Sequence, residues 1–268
     1  MSAVGSRLAA ALAIALLAAL VAAPAKSQPA AAAPTAEEII AAADLVRNPD
    51  KAFRLTSTLI EYVGGKPRDR VVLVIFARED KATRQFSNLA RYAEPLRDTG
   101  KMALLNAPNL WFYDPASKTS IRISPQQRLI GQASDADVLT VNLARDYRGV
   151  ILGEETLQDA DRKDRLCWHL DMTAATADAI YSRMEYWVER GTYRAVKAKF
   201  YSDSGRLLKI AYFRKYQEQL GQLRPTETII IDAVDANLVT TINSTDYRFQ
   251  DIPDTWFQRD FLPRLKVD

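Results

Sequence analysis

Across residues 165–249, apolar and polar side chains alternate with a period of two. Leu166, Trp168, Leu170 and Met172 alternate with Arg165, Cys167, His169 and Asp171. Met184, Tyr186 and Val188 alternate with Arg183, Glu185, Trp187 and Glu189. This is the period of half-buried β-strands, whose successive side chains point to opposite faces. Glu189-Arg190-Gly191-Thr192, Asp203-Ser204-Gly205 and Asp235-Ala236-Asn237 interrupt the alternation with hairpin turn chemistry. Residues 206–216, 226–235 and 238–249 continue the series. Strands that follow one another through tight turns pair antiparallel. The C-terminal part of the chain is therefore committed to an antiparallel sheet.

The N-terminal half extends it. Thr35 and Glu38 stand at capping-box spacing, and Ile39, Ile40, Ala43 and Val46 follow at helical intervals until Asn48-Pro49. Residues 53–63 and 70–78 flank Gly64-Gly65-Lys66-Pro67 and read as a hairpin, with 85–92 as a further strand. Residues 102–105, 110–113 and 119–123 are short strands, separated by Ala107-Pro108-Asn109 and Asp114-Pro115-Ala116-Ser117. Ser134 can cap a helix with Asp135 and Asp137 in its first turn and Val138, Leu139 and Val141 behind them, ending near Arg145. Asp254 begins a last short helix carrying Trp256, Phe257, Phe261 and Leu262. The expected class is mainly β (α+β): a strongly curled antiparallel sheet of about ten to eleven strands, its open side covered by a few short helices.

Composition bounds the function classes. Of 268 residues, 48% are hydrophobic and 26% charged, which excludes a disordered chain. One cysteine, Cys167, excludes a disulfide scaffold. No segment carries a dense basic excess, so nucleic acid is not expected as a partner. Arg7, the apolar stretch 8–23 and the small residues of Ala23-Pro24-Ala25 form the pattern of a secretory signal peptide, with cleavage expected after Ala25. The expected divisions are a signal peptide over 1–25, a flexible leader over 26–34 and a single domain over 35–268. Removing 25 residues leaves 268 − 25 = 243, with 35 basic and 33 acidic groups and a net charge of +2. The apolar stretch is shorter than the ~20 residues of a spanning helix, so an exported, periplasmic protein is expected.

Reactive side chains are scarce. His169 is the single histidine. Cys167, His169 and Asp171 share one strand face, yet ligands two residues apart on a straight strand diverge and rarely close around one ion. An ordinary strand face is the expectation, with no metal, no cofactor and no catalytic centre. Glu154 and Glu155 would point to opposite faces. Trp111, Phe112 and Tyr113 are consecutive aromatics on a strand, and the strand segments carry many more large apolar groups. They would either fill a core or line a cavity too wide for side chains to fill.

Several segments, taken in order, carry a family resemblance: Gly100-Lys101-Met102, Asn109-Leu110-Trp111-Phe112-Tyr113-Asp114-Pro115, Arg122-Ile123-Ser124-Pro125-Gln126-Gln127-Arg128-Leu129-Ile130-Gly131, Ser134-Asp135-Ala136-Asp137, Asp146-Tyr147 and Leu152-Gly153-Glu154-Glu155. As an ordered set they resemble the outer-membrane lipoprotein-sorting (LolA/LolB-like) group of periplasmic proteins, and its uncharacterised branch more than the lipoprotein carrier itself. The resemblance implies a half-open β-barrel with a helical lid and an apolar cavity for acyl chains. It implies lipid or lipoprotein acyl chains as cargo, an inner-membrane lipid transporter as donor and an outer-membrane acceptor. The other function consistent with it is a periplasmic lipid-sensing or scaffold protein acting with an inner-membrane transporter. Cavity candidates are Leu104, Leu110, Trp111, Tyr113, Ile121, Ile123, Leu129, Trp168, Tyr186, Phe200 and Tyr212. Lid candidates are Ile39, Ile40, Val138 and Leu139. Arg128 lies in a candidate rim, where a neighbouring carboxylate is its commoner partner and a lipid headgroup phosphate the alternative.

Overall fold

A computed structural model describes residues 33–106 and 108–265. The segment expected as a signal peptide, and nearly all of the expected leader, lie outside these residues. Helix α1 (Ala36–Arg47) opens the described chain; Thr35 and Glu38 form the expected capping box, and Asn48 ends the helix. Six strands follow: β1 (Phe53–Val63), β2 (Lys66–Glu79), β3 (Phe86–Glu94), β4 (Met102–Asn106), β5 (Asn109–Asp114) and β6 (Thr119–Ile123). A crossing segment then carries β7 (Arg128–Ile130), β8 (Ala133–Ser134), α2 (Asp135–Val138) and α3 (Leu143–Asp146). The second series is β9 (Tyr147–Gln158), β10 (Asp164–Ala174), β11 (Arg183–Glu189), β12 (Ala195–Tyr201), β13 (Leu207–Gln219), β14 (Gln222–Asp232) and β15 (Leu238–Phe249). Two short 3₁₀ segments, Asp254–Phe257 and Arg259–Arg264, close the described chain.

Thirteen strands form one antiparallel sheet among the described residues, in the order β6-β5-β4-β3-β2-β1-β15-β14-β13-β12-β11-β10-β9; β7 and β8 pair separately. Two meanders are thus joined side by side along β1 and β15, which pair over nearly their full lengths. The Gly64-Gly65 turn of the β1–β2 hairpin has both residues at positive φ, 58° and 77°, the backbone of a two-residue hairpin loop. Strand β6 is one edge of the sheet and β9 the other.

Four expectations need correction. The sheet is open, with edges that do not pair, rather than strongly curled or half-closed into a barrel. Its strands number thirteen, not ten or eleven, partly because β9 is a strand without an apolar signature: all but three of its residues are exposed. The helix expected from Ser134 to Arg145 is two four-residue helices with an extended link between them. The helices also do not share one side. On β2, Leu73, Ile75 and Ala77 face one core, while Phe76 faces another. The first core spans the sheet and is covered by α1 and the crossing segment; the second lies under the C-terminal 3₁₀ segments, with Ile252, Phe257 and Leu262 packed on Phe76, Leu89, Met102, Leu104 and Tyr113. Among the described residues no helix is long and apolar enough to cross a membrane.

Candidate binding cavity

The apolar face of α1 buries Ile39, Ile40 and Ala43. Each fully buried isoleucine contributes roughly 2 kcal/mol. The helix crosses β9 where Gly149 offers no side chain; a Cβ there would come 2.9 Å from Ile40 Cδ1. At its C-terminal end α1 is fastened to the crossing segment. Arg47 donates to Asp44 Oδ1 at 2.7 Å and to the Val141 carbonyl at 2.7 Å, and Asn48 Nδ2 donates to the same carbonyl at 3.0 Å. Asp44 Oδ2 accepts from the Ala144 amide at 2.8 Å. Burial alone would lower the Arg47 pKa, but the Asp44 carboxylate beside it reverses the direction and keeps the guanidinium charged.

The crossing segment is also held from below. The side chain of Asn88 donates to the Thr140 carbonyl at 2.8 Å and accepts from the Thr140 amide at 2.9 Å. Gln85 accepts from the Asn142 amide at 3.1 Å and donates to Asp146 Oδ2 at 2.6 Å. Thr140 is thereby paired as if to a neighbouring strand. This clasp holds the link extended and divides the expected helix in two. Asp146, almost fully buried, also accepts from Thr176 Oγ1 at 2.9 Å and pairs with Arg145 at 2.5 Å.

Under this two-part cover lies a cavity of about 90 Å³. Its roof is Leu139, Val141 and Leu143; its floor includes Met184, Tyr186, Phe200, Ala211, Phe213 and Ile230. Arg47, Asp137, Asp146 and Thr228 supply the polar atoms at its margin. The lining is that of an apolar ligand site with a few polar groups. The cavity volume of about 90 Å³ is below the ~150 Å³ that accommodates a benzene ring, so with the cover in this position it is too small for an acyl chain.

The sequence candidates fall in several places. Tyr186 and Phe200 line the cavity from below and Leu139 from above. Leu110 and Trp168 are buried in the same core, with Ile123, Leu129 and Val138 packed against it. Ile39 and Ile40 face it from α1. Leu104 and Tyr113 lie on the opposite face beneath the 3₁₀ segments, where Trp111 packs beside them. Ile121 is 58% exposed on the edge strand β6. The Tyr212 ring lies 5.7 Å from Lys197 Nζ, away from the cavity. Asn88, Gln85 and Arg47 were not among the candidates, because their roles depend on partners about fifty to ninety residues away.

On the outer face, Cys167 is fully buried with Trp187 and Val196, and burial pushes its thiol up to about 12. It is a thiol, not a thiolate, at neutral pH and a poor nucleophile. The His169 ring stacks on Trp187 at 4.2 Å, with Nε2 3.1 Å from Glu185 and Nδ1 3.5 Å from Glu155.

A LolA superfamily protein from Nitrosomonas europaea has the same fold: TM-score 0.75 and 28% identity, over 85% of this chain and all of that one. A DUF1329 family protein from Desulfovibrio piger matches at TM-score 0.71 and 19% identity, over 84% of this chain and 97% of the other. A domain from Vibrio parahaemolyticus assigned to outer-membrane lipoprotein sorting matches at TM-score 0.70 and 20% identity, over 85% and 98%. No curated protein matches the chain. A family model described as that of an uncharacterized protein matches residues 85–264, two-thirds of the chain. The chain belongs to this family and has a LolA-like fold.

Proposed function

We propose that this protein is a periplasmic carrier that takes lipid or lipoprotein acyl chains into the cavity beneath α1 and the crossing segment, and shuttles them between envelope membranes. In this reading residues 35–268 act as a single LolA-like domain, exported by the N-terminal signal and served by an inner-membrane lipid transporter and an outer-membrane acceptor. The observation that carries it is the apolar cavity roofed by a separately fastened cover. An acyl chain gains roughly 0.8 kcal/mol per buried methylene, so a sixteen-carbon chain rewards an enclosed slot strongly. A carrier must also release, and the roof is fastened at Arg47, Asn88 and Gln85 by specific polar contacts in addition to the packing of Leu139, Val141 and Leu143.

The test is native mass spectrometry of the purified protein with palmitic acid. The expected result is a one-to-one adduct that disappears in Ala211→Phe, where a ring occupies the cavity floor. Uptake by the wild type with equal uptake by the variant places the chain elsewhere; no uptake by either overturns the carrier reading.

A further inference from the structure

A second hollow of about 340 Å³ adjoins the first, and Tyr181 lines both. Its chemistry is different. Arg128, Arg206 and Lys209 bring three cationic groups to its wall, with Ser134, Gln126 and Gln132 as polar neighbours. Lys209 is buried and its charge is met: its ammonium pairs with Asp137 and donates to Ser134 Oγ at 3.2 Å. The remaining carboxylate in the wall is Asp232, whose Oδ1 is turned into its own loop by the amides of Val234 (2.8 Å) and Asp235 (2.9 Å). Arg128 and Arg206 make no ion pair among the described residues. The carboxylate expected for Arg128 is therefore not there, and two guanidiniums are presented to one open, polar space. Paired planar donors of this kind match a phosphate or other oxyanion.

Tyr181 stands between this polar space and the apolar one. Its hydroxyl lies 3.0 Å from Ser134 Oγ, its ring packs on Phe200 at 4.7 Å, and Lys209 Nζ lies 5.2 Å from the ring. It sits in the loop between β10 and β11, whose Ile180 carbonyl accepts from Gln126. An amphiphile with its tail in the apolar cavity would place its headgroup past Tyr181, among the arginines.

We infer that the hollow lined by Arg128 and Arg206 is a headgroup site for an anionic, phosphate-bearing lipid. The inference rests on the carrier reading of the adjoining cavity. The experiment compares 1-palmitoyl lysophosphatidic acid, monopalmitoylglycerol and inorganic phosphate, by equilibrium binding to the wild type and to the Arg128→Gln/Arg206→Gln double variant. Charge-assisted bonds of this kind predict that the phosphate-bearing lipid binds about tenfold or more tighter than the monoglyceride. In the double variant that preference disappears while monoglyceride binding is unchanged, and inorganic phosphate does not compete at concentrations comparable to the lipid. Equal binding of the two lipids overturns the headgroup site and leaves the carrier standing. Binding of neither overturns both. Competition by inorganic phosphate at the same concentrations as the lipid assigns the site to a free anion and overturns its lipid origin.

Discussion

Asp135 is an almost wholly buried carboxylic acid. It begins α2, two residues from Asp137, and makes no ion pair among the described residues. Burial first, and the Asp137 charge second, push its carboxyl up to about 7. An unfolded aspartate titrates near ~3.9. The folded state therefore holds its proton where the unfolded state has lost it. The resulting stability is full below about pH 4 and is lost as the pH rises through 7. Asp135→Asn should accordingly match the wild type near pH 4 and exceed it at pH 8 by roughly 1–3 kcal/mol. Urea unfolding at the two pH values checks this, and an equal difference at both would refute it. At this scale the sequence was legible where one residue's surroundings are made by near neighbours. Thr35 and Glu38 announced their own capping box. Tyr186 and Phe200 announced themselves as large groups on alternating strands, and both reach the cavity. Leu104 and Trp111 looked the same in sequence, and nothing local says that a C-terminal segment covers their face.

Among elements, the crossing segment owes its shape to a strand it is not part of. Asn88 is fully buried, and both ends of its amide serve the backbone of Thr140. Asn88→Ala removes the partner of the half-buried Thr140 amide and carbonyl, at a cost of roughly 1–3 kcal/mol. Hydrogen exchange should show the Thr140 amide losing protection before the sheet amides do; unchanged protection there would mean that the link is held extended by something else. The pattern at 134–145 carries a sound cap and apolar residues at helical spacing, so it reads as one helix. The structure spends those residues differently because Asn88 and Gln85 offer the link a better set of partners. Strand β9 was hard to read for the opposite reason. Its residues are mostly solvent-facing, so burial imposes no alternation on them. Gly149 shows the same strand from its covered side. Gly149→Val should lift α1 by crowding Ile40 and Ala36, seen as faster proteolysis within residues 36–47 at little change in the far-ultraviolet spectrum of the sheet.

For the whole molecule, alternation and turns predict an antiparallel sheet because every pairing but one joins strands consecutive in sequence. The exception is β1 with β15, and no local pattern announces a partner so far along the chain. The two-sided burial of β2–β5 was equally out of reach. Strand β4 is buried at four of its five positions, which reads as apolar content rather than as two faces. The second cover is fastened by specific contacts: Trp256 meets Phe76 edge-on at 5.2 Å, Asn106 donates to the Phe257 carbonyl at 3.0 Å and Arg78 to the Ile252 carbonyl at 2.9 Å. Ending the chain after Gln250 should expose Phe76, Leu89 and Leu104 together. We expect dye binding and aggregation from that truncation, with the cavity on the other face still formed in whatever fraction stays soluble.

The crossing segment leaves the sheet at one edge strand, β6, and re-enters it at the other, β9. It is a strap buckled at both margins, not a door hung on one side. In the proposed carrier, a cargo that raised it from beneath would put it in tension, and that tension would arrive at the two strands that have a neighbour on one side only. Filling the interior would then be felt at the rims, as a pull on β6 and β9, and a partner gripping either rim could in turn slacken the strap and let the contents go.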